Sequence, residues 1–142
     1  MNKKIILTLS LALIAIVMAS AVSADENVTI DGITFNIPDG YIEDVDSEIV
    51  NQTESDEGVT YVSNAKSYDS ENHTMLLLVA TYEGENATED ALADVDGDAL
   101  KIKDIDGEFV DLGFLKIFCY IQDGKLVTLT TDSQDEIEKF II

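Results

Sequence analysis

Thr74-Met75-Leu76-Leu77-Leu78-Val79-Ala80-Thr81-Tyr82 is the most apolar stretch beyond the first two dozen residues, and its reading decides the fold. In an extended chain, successive side chains point to opposite faces. Met75, Leu77 and Val79 therefore face one way, and Leu76, Leu78 and Ala80 face the other. Both sets are apolar, so this strand belongs at the centre of a sheet covered on both sides. Residues 114–121 read the same way: Leu115, Ile117, Cys119 and Ile121 alternate with Phe114, Phe118 and Tyr120.

Working outward, turns set the remaining strands. Asp-Gly occurs at 31–32, 39–40, 96–97, 106–107 and 123–124. Both residues tolerate positive φ, so Asp-Gly between alternating apolar residues signals a hairpin. Val28 and Ile30 pair across Asp31-Gly32 with Ile33, Phe35 and Ile37, and Pro38 then stops the ladder. Asp39-Gly40 turns the chain, and Tyr41 covers the edge of the core. Leu100–Ile105 and Glu108–Leu112 make a second hairpin around Asp106-Gly107, and 114–121 pairs with Lys125–Thr131 around Asp123-Gly124. Val59–Ser63 is a further strand. Glu43–Gly58 carries seven acids and no lysine, and reads as a solvated loop or short helix.

Two helices are expected. Asn86-Ala87-Thr88-Glu89 opens one with a capping pattern; Ala91, Leu92 and Val95 form its inner stripe, and Gly97 ends it. Ser133 caps the other, with Glu136 three residues on and Ile137, Phe140 and Ile141 on the buried side. The sum is an α+β domain: an antiparallel sheet of six to seven strands with two helices, preceded by an N-terminal signal helix.

That leader is Met1–Ala24. Lys3 and Lys4 precede the apolar run Ile5–Met18, and Val22-Ser23-Ala24 suits cleavage before Asp25. The reading places the protein outside the cell or on its surface; left uncleaved, the leader is the one route to a membrane. The remaining 118 residues, 25–142, make one domain. A chain of that size buries roughly 65 % of its unfolded surface, enough for a core without metal or disulfide.

All 29 acids lie after Ala24, against six lysines and no arginine, so the mature charge is −23. Nucleic acid and anionic membranes are poor partners for such a surface, since both demand cations from the protein. Cations and a protein or envelope component fit it better. Cys119 stands alone, so no internal disulfide forms, and its neighbours Phe118 and Tyr120 read it as a small apolar strand residue.

Motifs for chemistry are sparse. His73 is the only histidine, at the polar start of a strand, and reads as a surface residue. No cluster of His or Cys has zinc spacing, and a nucleophile–His arrangement would depend on His73 alone to move the proton, which its surface reading argues against. Phosphate-binding glycine loops are absent. A secreted hydrolase using carboxylates alone stays open as an alternative.

Asp94, Asp96 and Asp98 stand at positions one, three and five of a calcium loop, and a calcium-dependent binding module is the third reading. Ala99 and Ile105 occupy the places where that loop asks for Gly and a closing acid. No cofactor is expected beyond a loosely bound divalent cation. Asn27, Asn51, Asn72 and Asn86 each begin an Asn-x-Thr sequon, four of the six asparagines after the leader, and are candidate glycosylation sites.

The run Ile33-Thr34-Phe35-Asn36-Ile37-Pro38-Asp39-Gly40-Tyr41 resembles the Phe-x-Ile-Pro-x-Gly-aromatic opening of many exported α+β domains. Together with Ile102–Gly107, Cys119–Val127 and Ile137–Ile142, it is similar to small secreted proteins of methanogenic archaea of unassigned function. The layout also resembles the PsbP-like α/β/α sandwich, whose members with known roles are non-catalytic accessory proteins. The resemblance implies an archaeal, exported binding domain and carries no catalytic residue across.

Overall fold

A computed structural model describes residues 25–84 and 87–142. The expected leader and signal helix at 1–24, and the sequon and capping residue Asn86, lie outside the described residues. In chain order the elements are β1 (Glu26–Ile30), β2 (Ile33–Ile37), β3 (Ile42–Asp56), β4 (Val59–Asp69), β5 (Thr74–Tyr82), α1 (Ala87–Ala93), β6 (Asp98–Ile102), β7 (Ile105–Asp111), β8 (Lys116–Gln122), β9 (Lys125–Thr131) and α2 (Gln134–Phe140). A seven-stranded sheet runs β3-β4-β5-β9-β8-β7-β6, and β1-β2 forms a separate two-stranded sheet. Every pairing is antiparallel. The α+β class expected from the sequence is what is found. Among the described residues no helix is long and apolar enough to cross a membrane.

The centre is built as the alternation dictates. Met75, Leu77 and Val79 of β5 join Phe118, Tyr120, Val127 and Leu129 on one face. That face is closed by Ile33, Phe35 and Ile37 of the β1-β2 hairpin and by Ile137, Phe140 and Ile141 of the α2 segment. Leu76, Leu78 and Ala80 join Ile117, Cys119 and Leu126 on the opposite face, which Ala91 and Val95 of the α1 segment cover. Fully burying one such side chain contributes about 1.5–3 kcal/mol relative to leaving it exposed. A seven-residue helix is marginal alone, so α1 depends on seating Ala91, Leu92 and Val95 against the sheet.

Several expectations change. Glu43–Gly58 is not a loop or helix: Ile42–Asp56 is a 15-residue edge strand, and the turn falls at Glu57-Gly58. Its register shifts between Asp44 and Ile49 and again before Gln52, with Asn51 in a left-handed conformation. Bulges and acids are what keep an open sheet edge from pairing with other chains. Ile49 supplies an apolar anchor on the core, while Val45 and Val50 are 69 % and 62 % exposed.

The second hairpin turns at Lys103-Asp104, with Lys103 at φ 52°, rather than at Asp106-Gly107. Gly107 sits inside β7 opposite Leu100. A Cβ there would lie 2.4 Å from the Cys119 carbonyl oxygen and 2.7 Å from the Phe118 ring, so glycine serves close packing. Helix α1 ends at Ala93, ahead of Gly97. Gly97 instead lets the chain pass Phe109, whose carbonyl oxygen would stand 2.6 Å from a Cβ. Finally, Phe114 lies in the β7–β8 turn and not in the strand, which begins at Lys116.

Ser133 occupies the N-cap of α2 without a side-chain capping bond. Tyr41 is buried more deeply than an edge cover, its ring edge-on to Phe140 at 4.8 Å. Asp31-Gly32 and Asp123-Gly124 are turns with positive φ at both residues, as expected.

Candidate functional site

One end of the sheet carries a cleft of about 350 Å³ lined by the β4–β5 turn, the β7–β8 turn and the end of β9. Strand register brings these segments together: Met75 pairs with Thr131, and Thr131 also pairs with Lys116. The side chains that carry its chemistry are Glu71, His73, Phe114 and Asp132.

His73, expected at the surface, is half-buried. Its Nδ1–H donates to Asp132 Oδ1 at 2.9 Å, and Nε2 lies 3.8 Å from Glu136 Oε1. Glu136, buried on α2, also accepts from Tyr41 Oη at 2.7 Å and from Lys139 Nζ at 2.6 Å. Burial pushes the Glu136 carboxyl up. The hydrogen bonds from Lys139 and Tyr41, with the charges of Lys139 and His73, outweigh burial and hold it below the usual range. Burial, reinforced by the bond to Glu136, pushes the Tyr41 phenol up. The imidazole is thus fixed between two carboxylates, one facing the cleft and one beneath it.

The hydroxyls around it are engaged by the protein. Ser70 Oγ donates to the His73 carbonyl at 3.1 Å and accepts the His73 N–H at 3.0 Å, which staples the turn. Thr74 Oγ1 donates to Asp69 at 2.6 Å, and Thr131 Oγ1 to Asp132 at 3.2 Å. A nucleophile–His pair requires a hydroxyl on the ring nitrogen; here both ring nitrogens face carboxylates.

Phe114 also lines the cleft and is 72 % exposed. Its turn is tied down on both sides. Gly113 N–H donates to Asp111 Oδ1 at 2.7 Å, Leu112 N–H donates to the Leu115 carbonyl at 2.9 Å, and Lys116 Nζ donates to the Gly113 carbonyl at 2.8 Å. Lys116 also pairs with Asp111, and that bond, with the Gly113 N–H, holds the Asp111 carboxyl below its usual range. The ring is therefore held outward by a braced turn.

Of the candidate site residues singled out in the sequence that the structure describes, one lies at the cleft and the others fall elsewhere. Asn72 is exposed on the β4–β5 turn and lines the cleft. Asn27 is exposed on β1, and Asn51 is exposed at the β3 bulge, its N–H donating to Asn64 Oδ1 at 2.8 Å. Asp94, Asp96 and Asp98 run from the end of α1 into β6, all exposed. Among the described residues no group of three or more His, Cys, Asp or Glu side chains is placed to share a metal ion. Sequence reasoning missed the cleft because His73 and Asp132 meet only through the β5–β9 register; the one available signal was a lone histidine beside a strand start.

Comparison with protein-family models, with curated proteins and with solved structures finds no match.

Proposed function

We propose that this protein is an exported, non-catalytic domain that acts by binding at the cell surface or outside the cell, with the cleft beside Phe114 as its contact site. Phe114 carries the reading. A large apolar ring held in water by a braced turn is unfavourable for the free protein, and contact with a partner relieves that cost. The leader Met1–Ala24, the mature charge of −23 and the resemblance to secreted archaeal proteins support the same address and class. A binding role also accords with the engaged hydroxyls and with the neutralisation of Glu136 by Lys139.

The test compares capture from the native cell envelope by the wild-type chain and by Phe114→Ser. The expected result is a partner retained by the wild type and lost from the variant. Equal recovery by both would remove the cleft from the reading. Hydrolysis of an envelope glycoside by the wild type, abolished in Asp132→Asn, would replace binding by catalysis. Capture that depends on calcium and is lost in Asp96→Asn would move the site to Asp94, Asp96 and Asp98.

A further inference from the structure

The cleft has a definite chemistry. Glu71 and Asp132 put two exposed carboxylates in its lining against the single imidazole of His73, and no lysine is among the described residues that line it. Lys139 is already spent on Glu136, at 2.6 Å, behind His73. Asp132 is held in place through Oδ1 by His73 and Thr131 and is 48 % exposed, leaving the carboxylate reachable from the cleft. Exposed Phe114 and buried Leu115 line the same cleft. An anionic ligand is repelled here, by the cleft and by the whole molecule. A purely apolar ligand would strip water from two carboxylates with nothing in return.

A ligand that satisfies both kinds of lining has a cationic head for Asp132 and a short apolar stem for Phe114 and Leu115. A cation within about 6 Å of an aromatic face is further attracted by the ring. The space of about 350 Å³ is at the small-ligand end of binding sites.

We infer that this cleft binds an organic cation, an alkylammonium or guanidinium group on a short apolar stem. The inference rests on the cleft being the contact site and names what the site takes. Two sources share that chemistry: a free amine, or the Lys or Arg side chain of a partner.

Titration of the ¹⁵N-labelled full chain with n-butylammonium chloride tests it, followed at the backbone amides of His73, Leu115 and Asp132. The expected result is saturable shifts confined to those segments, absent with sodium chloride at equal ionic strength and with n-butanol. Asp132→Asn, nearly isosteric and solvent-facing, weakens binding by about tenfold or more, because a charge-assisted hydrogen bond is lost. Phe114→Ala removes the advantage of butylammonium over methylammonium. Linear, salt-like shifts, or equal binding of n-butanol, would overturn the inference.

A blocked Gly-Lys-Gly peptide separates the sources: tighter binding than butylammonium assigns a protein side chain, and weaker binding assigns a free amine. The two proposals also fail separately. If no ammonium binds but Phe114→Ser still loses the envelope partner, the binding role stands and the ligand class is wrong. If butylammonium binds but capture ignores Phe114→Ser, the cleft is an amine site and not the partner's.

Discussion

Strands β5 and β3 lie two places apart in one sheet and obey opposite rules. From Met75 to Ala80, β5 is buried on both faces and paired on both sides. Strand β3 is paired on one side only, loses register twice, and holds the core chiefly through Ile49. Its acids are not inert: Glu43 accepts from Lys66 at 2.6 Å, Glu48 approaches the same amine at 3.3 Å, and Glu54 accepts from Tyr61 at 2.7 Å. The difference shows that a strand needs a partner and one anchor, whereas a core strand also needs volume. Short-range electrostatics then tunes the edge, and packing governs the centre.

The largest expected effect joins the two regions. All five tyrosines, Tyr41, Tyr61, Tyr68, Tyr82 and Tyr120, have phenols pushed up, in each case first by burial. For Tyr61 the Glu54 bond adds to it, so the edge strand shares in the effect. A raised folded value means stability that is complete below the unfolded value of 10.0 and lost as pH climbs through the folded values. Phenolate absorbance should therefore appear in one step together with unfolding, at a pH above 10.0. Graded ionisation near that pH with circular dichroism unchanged would show that the tyrosines are not locked in the core.

Next in size is a truncation at the centre against one at the edge. Leu77→Ala should cost about 2–5 kcal/mol in denaturant unfolding, the range for a large-to-small change in a sealed core. Val50→Ala, at an exposed site, should stay within about 0.5 kcal/mol. Equal costs would erase the distinction. Gly107→Ala should cost roughly 1–3 kcal/mol through overpacking against Cys119 and Phe118, with a drop in melting temperature as readout; a neutral result would mean that β7 can back away from β8.

The smallest effect is distributed. Raising salt from about 0.01 M to 0.1 M shortens the screening length from about 30 Å to 10 Å. Repulsion within a chain of net charge −21 should weaken, and the melting temperature should rise. Magnesium or calcium should act more strongly than sodium at equal ionic strength. A melting temperature indifferent to salt would mean that pairs such as Lys66 with Glu43 already neutralise the edge. Leu77→Ala should lower the melting temperature by the same amount at either salt concentration, because its loss is packing.

What could be read in the sequence follows the same division. The alternation of Met75-Leu76-Leu77-Leu78-Val79-Ala80 specifies a doubly covered strand with no tertiary knowledge, and Asp123-Gly124 specifies the β8–β9 turn. Asp106-Gly107 misled because one dipeptide serves two needs: a glycine that permits positive φ also permits close approach, and only the neighbour at Cys119 tells which. Strand β3 was illegible because an edge strand with one buried anchor lacks a period-2 apolar pattern. The cleft was illegible for a different reason. His73, Phe114 and Asp132 are far apart in the chain, and a single residue's shift in register would separate them.

Cys119 gives the doubly covered centre a practical consequence. Its sulfur is fully buried beneath the face that α1 covers, 3.7 Å from Thr128 Oγ1, and burial pushes the thiol up to about 12. A thiol reagent therefore reacts only when the cover over that face lifts and a thiolate can form. With Cys119 the single cysteine of the sequence, each labelled molecule records one opening event and no internal disulfide exchange confuses the count. The rate of alkylation under native conditions is thus a clock for the uncovering of the face beneath α1, readable by mass in a mixture and without purification to homogeneity.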